Sequence, residues 1–140
     1  MALRLLLDTG FWFALYDPRD TYHKEALEIA ELLDIHGLVV PWPTLYETLN
    51  TRLVRRRTAV QNFSHLLAGH NVHLLPDDDY RDAALEAICT PLGPHRSLSL
   101  VDVVLRLVLA DRNVKIDALI TFNPGDFSDV CQRAGIDVFP

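Results

Sequence analysis

Five short apolar runs punctuate this chain, and longer helix-like stretches fill the gaps between them. The runs are Leu3–Leu7, Leu38–Val40, Val72–Leu75, Asp117–Thr121 and Ile136–Phe139. A run of this length bounded by turn residues suits a strand buried on both faces. Strands alternating with helices form parallel βαβ units with right-handed crossovers. The pattern predicts an α/β fold with a parallel sheet of about five strands. A length of 140 residues fits one domain, 1–140, with a proper core.

The gaps have recognisable helix signals. Phe11–Tyr16 is short and aromatic. Asp20 or Thr21 can cap a second helix reaching about Ile35, with Tyr22, Ala26, Ile29, Ala30 and Leu33 on its apolar side. A third helix is expected from Thr44 to Arg55-Arg56-Arg57, and a fourth, capped by Thr58, over Ala59–Ala68. Asp77-Asp78-Asp79 suits the start of a fifth, running to about Ile88, because acidic side chains favour the positive end of the helix dipole. Residues 91–96 form a loop, Leu98–Ala110 is the most apolar helix, and a short helix around Val130–Arg133 precedes the last strand.

The formal charge of −6 argues against nucleic-acid binding by bulk charge. It leaves a metal-dependent nuclease open, because a metal site contributes acids of its own. Cys89 and Cys131 form no Cys-x-x-Cys pair and suit reduced thiols. The six histidines include no His-Glu-x-x-His, which removes the usual helical zinc motif. The first apolar run is too short for a signal peptide and no span approaches membrane length, so a soluble, cytoplasmic protein is expected, with no membrane partner.

Ligands of parallel sheets sit beyond the carboxyl ends of the strands. Asp8 closes the first run at that edge, although it also suits an N-cap. Glu47 lies one turn into the helix after the second strand, although Thr44-x-x-Glu47 also spells a capping box. In the Leu98–Ala110 helix the polar residues Ser99, Asp102 and Arg106 fall within about 60° of one another. That stripe faces a site, or it is a solvated surface with an Asp102–Arg106 pair. Thr121, Asn123 and Asp126 follow the fourth strand, where Asn-Pro-Gly-Asp also makes a turn. Four segments thus bring carboxylates or amides to one sheet edge. Clustered carboxylates repel and take up protons unless a cation joins them. Oxygen donors without Cys or His select Mg²⁺ or Mn²⁺, and such ions support phosphodiester hydrolysis.

In these motifs the chain resembles the PIN-domain family, and within it the small VapC-like ribonuclease toxins. The resemblance rests on Leu5-Leu6-Leu7-Asp8-Thr9, on Val40-Pro41-Trp42-Pro43-Thr44-Leu45-Tyr46-Glu47, on Ser99-Leu100-Val101-Asp102 and on the segment Ala118–Phe127. It implies a Rossmann-like α/β/α sandwich with strand order 3-2-1-4-5. It also implies a Mg²⁺- or Mn²⁺-dependent endoribonuclease that leaves a 5′-phosphate and a 3′-hydroxyl, acting as the toxin of a toxin–antitoxin pair and forming a homodimer. Asp8, Glu47 and Asp102 would be the catalytic acids and metal ligands, and Thr9, Ser99 and Thr121 would orient them. Many members carry an Asp where this chain has Asn123, so Asn123 and Asp126 compete for the fourth ligand position. Arg52, Arg55 and Arg56 share one helical face, placed to bind RNA phosphate or an acidic antitoxin tail. The alternative is a PIN fold with weak or no catalysis that binds RNA or a protein. Asp8-Thr9-Gly10 is also the aspartic-protease tripeptide, but that chemistry needs two copies on a β-rich fold, and here there is one.

Overall fold

The computed structural model describes residues 2–91, 93 and 97–140. In chain order the elements are β1 (Arg4–Leu7), α1 (Thr9–Tyr16), α2 (His23–Ala30), β2 (Gly37–Pro41), α3 (Trp42–Thr48), α4 (Thr51–Val54) and α5 (Arg57–Leu67), followed by β3 (Val72–Leu75), α6 (Arg81–Cys89), α7 (Leu100–Ala110), β4 (Ala118–Ile120), α8 (Ser128–Ala134) and β5 (Asp137–Phe139). Short 3-10 turns lie at Leu33–Ile35 and Pro124–Asp126. The five strands are parallel in the order β3-β2-β1-β4-β5, as expected, with β1 at the centre. Of the expected loop at 91–96, only Pro91 and Gly93 are among the described residues.

Strand alternation sorts the apolar side chains into two layers. Leu5, Leu7, Leu38, Val40, Ala118 and Ile120 pack with α1, α2 and α5. Leu6, Val39 and Leu119 pack with α6, α7 and α8. Leu6 and Leu7 have no exposed surface, and each such leucine stabilises the fold by roughly 1.5–3 kcal/mol. Arg4 sits at the amino end of β1, where its Nε donates to the Lys115 carbonyl at 3.0 Å. The carboxyl end of β1 emerges from the buried Leu5–Leu7. Cys89 and Cys131 are free thiols, and no helix is long and apolar enough to cross a membrane among the described residues.

Several expected helices differ in extent. The second stops at Ala30 and gives way to the 3-10 turn at Leu33–Ile35. The third breaks in two: Leu49 leaves the helix at φ −86°, ψ 46°, and the Asn50 side chain accepts from the N–H groups of Arg52 and Leu53 at 3.0 and 3.1 Å. That cap starts α4 afresh. Arg52, Arg55 and Arg56 therefore do not share one helical face, since Arg56 already occupies the cap position of α5. Thr58 lies inside α5 and caps nothing. Asp77–Asp79 form a turn that precedes α6 rather than begins it, and Asp77 and Asp78 grip the Arg81 guanidinium at 3.0 and 3.2 Å.

Candidate active site

The parallel ladder runs one residue beyond β1: the Asp8 N–H donates to the Ile120 carbonyl at 3.0 Å. Asp8 occupies the position before α1, yet its side chain makes no capping bond. Instead Asp8 Oδ2 accepts from the Thr121 hydroxyl at 3.0 Å, across the β1–β4 pairing. The residue is only 8% exposed. Burial pushes its carboxyl up to about 6, and the charges of Asp102 and Glu47 add to that effect while the Thr121 hydrogen bond opposes it.

The capping box expected at Thr44 and Glu47 does not form. Helix α3 begins two residues earlier, at Trp42, because Pro41 is extended at φ −65°, ψ 138° and Pro43 falls in the first turn. A proline is tolerated there, since its missing N–H would have no intrahelical partner. Thr44 is then inside the helix and its hydroxyl donates to the Pro41 carbonyl at 2.7 Å. Glu47 is released from any capping duty, and its Oε1 accepts from the Thr9 hydroxyl at 2.7 Å. Burial raises the Glu47 carboxyl, the Thr9 bond opposes this, and the Asp102 charge adds to it.

Asp102 sits in the first turn of α7. The Ser99 Oγ accepts from the Asp102 N–H at 3.1 Å, and Asp102 Oδ2 accepts from the Ser99 N–H at 3.3 Å. This reciprocal cap orients the carboxylate with one oxygen. The expected Asp102–Arg106 pair is absent. Arg106 turns instead to α8 and binds Asp129 with both terminal nitrogens, at 2.7 and 2.6 Å, while also donating to the Asp126 carbonyl at 2.7 Å. A forked guanidinium fits a carboxylate better through two parallel bonds than through a single i,i+4 contact. Asp102 and Asp8 are consequently without an ion-pair partner among the described residues.

After β4, the Thr121 hydroxyl oxygen accepts from the Asn123 N–H at 3.0 Å. The Asn123 amide donates to Asp126 Oδ2 at 2.6 Å, so the two rivals for one position are bonded to each other. Burial raises the Asp126 carboxyl, and Asp102 adds to it. The structure thus brings Asp8, Glu47, Asp102, Asn123, Asp126 and their partners Thr9, Ser99 and Thr121 to one edge of the sheet.

No family model and no curated protein sequence matches this chain. Solved structures do. VapC20 from Mycobacterium tuberculosis, a sarcin-ricin loop cleaving toxin, aligns at a TM-score of 0.68 and 26% identity, over 89% of this chain and 93% of its own. The chain has the fold of a VapC-like PIN domain. VapBC2 from Rickettsia felis, in complex with a DNA fragment from their promoter, has the same fold at a TM-score of 0.53 and 12% identity, covering 98% of both chains.

The donor chemistry of this VapC-like edge fits a hard divalent cation: it is oxygen-only, and a buried carboxylate faces two others that disfavour its charge. The side chains do not close into a cage, since no three of His, Cys, Asp and Glu form a group that could hold a metal ion among the described residues. The arginines lie elsewhere. Arg52 and Arg56 line a cleft of about 360 Å³ with Phe13, Asp17, Asp20, Asn50 and Leu53, and Arg55 does not. Arg52 meets Asp17 at 3.3 Å, and Arg56 donates to the Tyr16 carbonyl.

One feature of the rim has no counterpart in the sequence reading. Tyr22, expected on the buried side of its helix, is 40% exposed and stacks on Phe122 at 4.6 Å and 3°. The only sequence signal was the position of Phe122 between Thr121 and Asn123.

Proposed function

We propose that this VapC-like domain is a Mg²⁺- or Mn²⁺-dependent endoribonuclease and the toxin of a toxin–antitoxin pair. One observation carries the reading: a buried Asp8, with no ion-pair partner among the described residues, shares the ligand edge of a parallel sheet with Glu47 and Asp102. A bound cation would favour the charged form of such a cluster. Asp8, Glu47 and Asp102 would hold it, and Asn123 or Asp126 would supply a further oxygen. When bound, the ion supplies charge neutralisation for the phosphodiester and activation of water.

The remaining work belongs to the chain itself. The Thr121 hydroxyl aims one oxygen of Asp8, and the Thr9 hydroxyl holds one oxygen of Glu47. The Ser99 N–H fixes one oxygen of Asp102 and leaves the other free. The Asn123–Asp126 bond keeps a neutral amide beside an already crowded set of acids, which limits repulsion. The Arg52–Arg56 cleft offers cations to RNA phosphate or to the acidic tail of an antitoxin. RNA cleavage by the VapC20 neighbour supports this reading. A homodimer and a cytoplasmic setting belong to it.

The test is cleavage of RNA by the purified, partner-free protein in Mn²⁺, in Mg²⁺ and in EDTA, for the wild type and for Asp102→Asn. Metal-dependent cutting with 5′-phosphate ends is expected, with a loss of about 100-fold or more in the variant. A wild type that cuts nothing, or a variant that cuts equally well, overturns the nuclease and leaves an RNA- or protein-binding module.

A further inference from the structure

We propose that Tyr22, backed by Phe122, is a stacking platform for one unpaired nucleobase of the RNA, next to the phosphate that is cut. The proposal rests on the nuclease reading for its substrate and names the form that substrate takes.

Three aromatic rings form a column that runs from the core to the rim. Phe11 is fully buried and faces Phe122 at 6.3 Å and 22°. Phe122 is half-buried and lies under Tyr22 at 4.6 Å, with the two planes only 3° apart. Tyr22 ends the column with 40% of its surface exposed. The middle of the column is tied to the acids, because Phe122 is flanked by Thr121, which donates to Asp8, and by Asn123, which donates to Asp126.

Tyr22 is also held in place from its own backbone. Its N–H donates to Asp20 Oδ1 at 2.9 Å and its carbonyl accepts from the Ala26 N–H at 2.9 Å. These bonds fix the backbone that carries the ring, and the stack on Phe122 positions the ring itself, so a contact to it costs little further entropy. A ring stacked in parallel on Phe122 and 40% exposed offers aromatic surface on which a base can stack.

The charge balance favours the same assignment. The chain carries −6, and Asp17 and Asp20 lie in the loop that leads to Tyr22, so RNA is not held there by bulk charge. A π-face attracts a base without a cation and accepts any of the four. The same loop borders the Arg52–Arg56 cleft through Asp17 and Asp20, which links the platform to a place for phosphate. A base laid on Tyr22 has left its own stack and pair, so the substrate is an unpaired segment and not a duplex.

The test measures binding of a fluorescein-labelled, unpaired oligoribonucleotide by anisotropy. It uses the wild type in EDTA and Asp102→Asn in Mn²⁺, each with Tyr22 intact and as Y22A, Y22L and Y22F, with melting curves to confirm folding. Loss of one stacked base weakens binding about 5- to 150-fold. Y22A and Y22L should both lose this, although leucine still covers Phe122, and Y22F should bind like the parent. Placing an abasic site at one position of the oligonucleotide should abolish the difference between Tyr22 and Y22A. Binding by Y22A within twofold of the parent, Y22L binding as well as Y22F, or the absence of any coupled abasic position overturns the platform. If Tyr22-dependent binding appears but the wild type cuts no RNA, the nuclease reading fails and the platform stands. If RNA is cut but Y22A changes neither binding nor KM, the platform fails and the nuclease stands. A wild type that neither binds nor cuts unpaired RNA overturns both.

Discussion

Replacing Asp8 by Asn should stabilise the metal-free protein at neutral pH while abolishing cleavage. The folded carboxyl is pushed up to about 6, whereas an unfolded aspartate titrates near its ordinary value of 3.8. The folded state therefore binds more protons than the unfolded state between those two values. Its stability falls as pH rises through that window and stays lower above it. At ~1.36 kcal/mol per pH unit, the charge costs the metal-free fold about 3 kcal/mol above pH 6. Asparagine keeps an oxygen to accept from the Thr121 hydroxyl and carries no charge. For 140 residues the unfolding entropy is roughly 0.3 kcal/mol/K, so the gain amounts to about 10 °C in Tm. Calorimetry in EDTA should show Asp8→Asn melting above the wild type at pH 8, with the gap closing near pH 4. Saturating Mn²⁺ should narrow the gap at pH 8, because only the wild type has the carboxylate that binds it. A variant less stable than wild type at pH 8, or a gap that ignores pH, would refute the idea that the acids are held together against their own repulsion.

Thr121→Val removes the donor to Asp8 and the acceptor for the Asn123 N–H in one step. The Asp8 carboxyl should titrate above about 6 by carbon NMR, and urea unfolding should show a loss of about 1–2 kcal/mol. Arg106→Met cuts the tether between α7 and α8, where the Arg106 side chain is 12% exposed, and should cost about 2 kcal/mol. Arg106 holds the Asp129 carboxyl well below the usual range, so the pair stabilises at neutral pH and is lost as pH falls through that lowered range; the variant should show less acid sensitivity in denaturant titrations at pH 2–5. Gly10→Ala places a Cβ 4.0 Å from Asp8 Oδ2, an ordinary contact, in the first turn of α1. It should raise stability by about 0.5–1 kcal/mol in thermal melts with RNA cleavage unchanged.

What the sequence disclosed was set by range. Apolar runs and helical periodicity are local, so the five strands and most helices were legible, and the strand order followed from the PIN resemblance. Asp8 and Glu47 come to one edge because the carboxyl ends of parallel strands share a side, and Asp102 joins them from the first turn of α7, the helix before β4. The two readings of Glu47 could not be separated locally. They hinged on whether the helix starts at Trp42 or Thr44, and that turned on a proline tolerated in the first turn. The partner of Arg106 lies 23 residues away in α8, beyond any i,i+4 rule. The split of the third helix follows from the Asn50 side chain, a strong cap that local periodicity does not weigh. Tyr22 matches the apolar period of its helix, although it is exposed and stacks on Phe122.

The ladder bond from Asp8 to Ile120 gives the core the role of a proofreader for the chemistry. Sliding β1 by a single residue against β4 would exchange the two leucine layers and turn Leu5 and Leu7 toward helices shaped for Leu6. The same slip would carry the Asp8 carboxylate away from the Thr121 hydroxyl. A misregistered chain therefore loses its core packing and the Asp8–Thr121 contact together, so the register that buries the leucines is the same one that assembles the acidic edge.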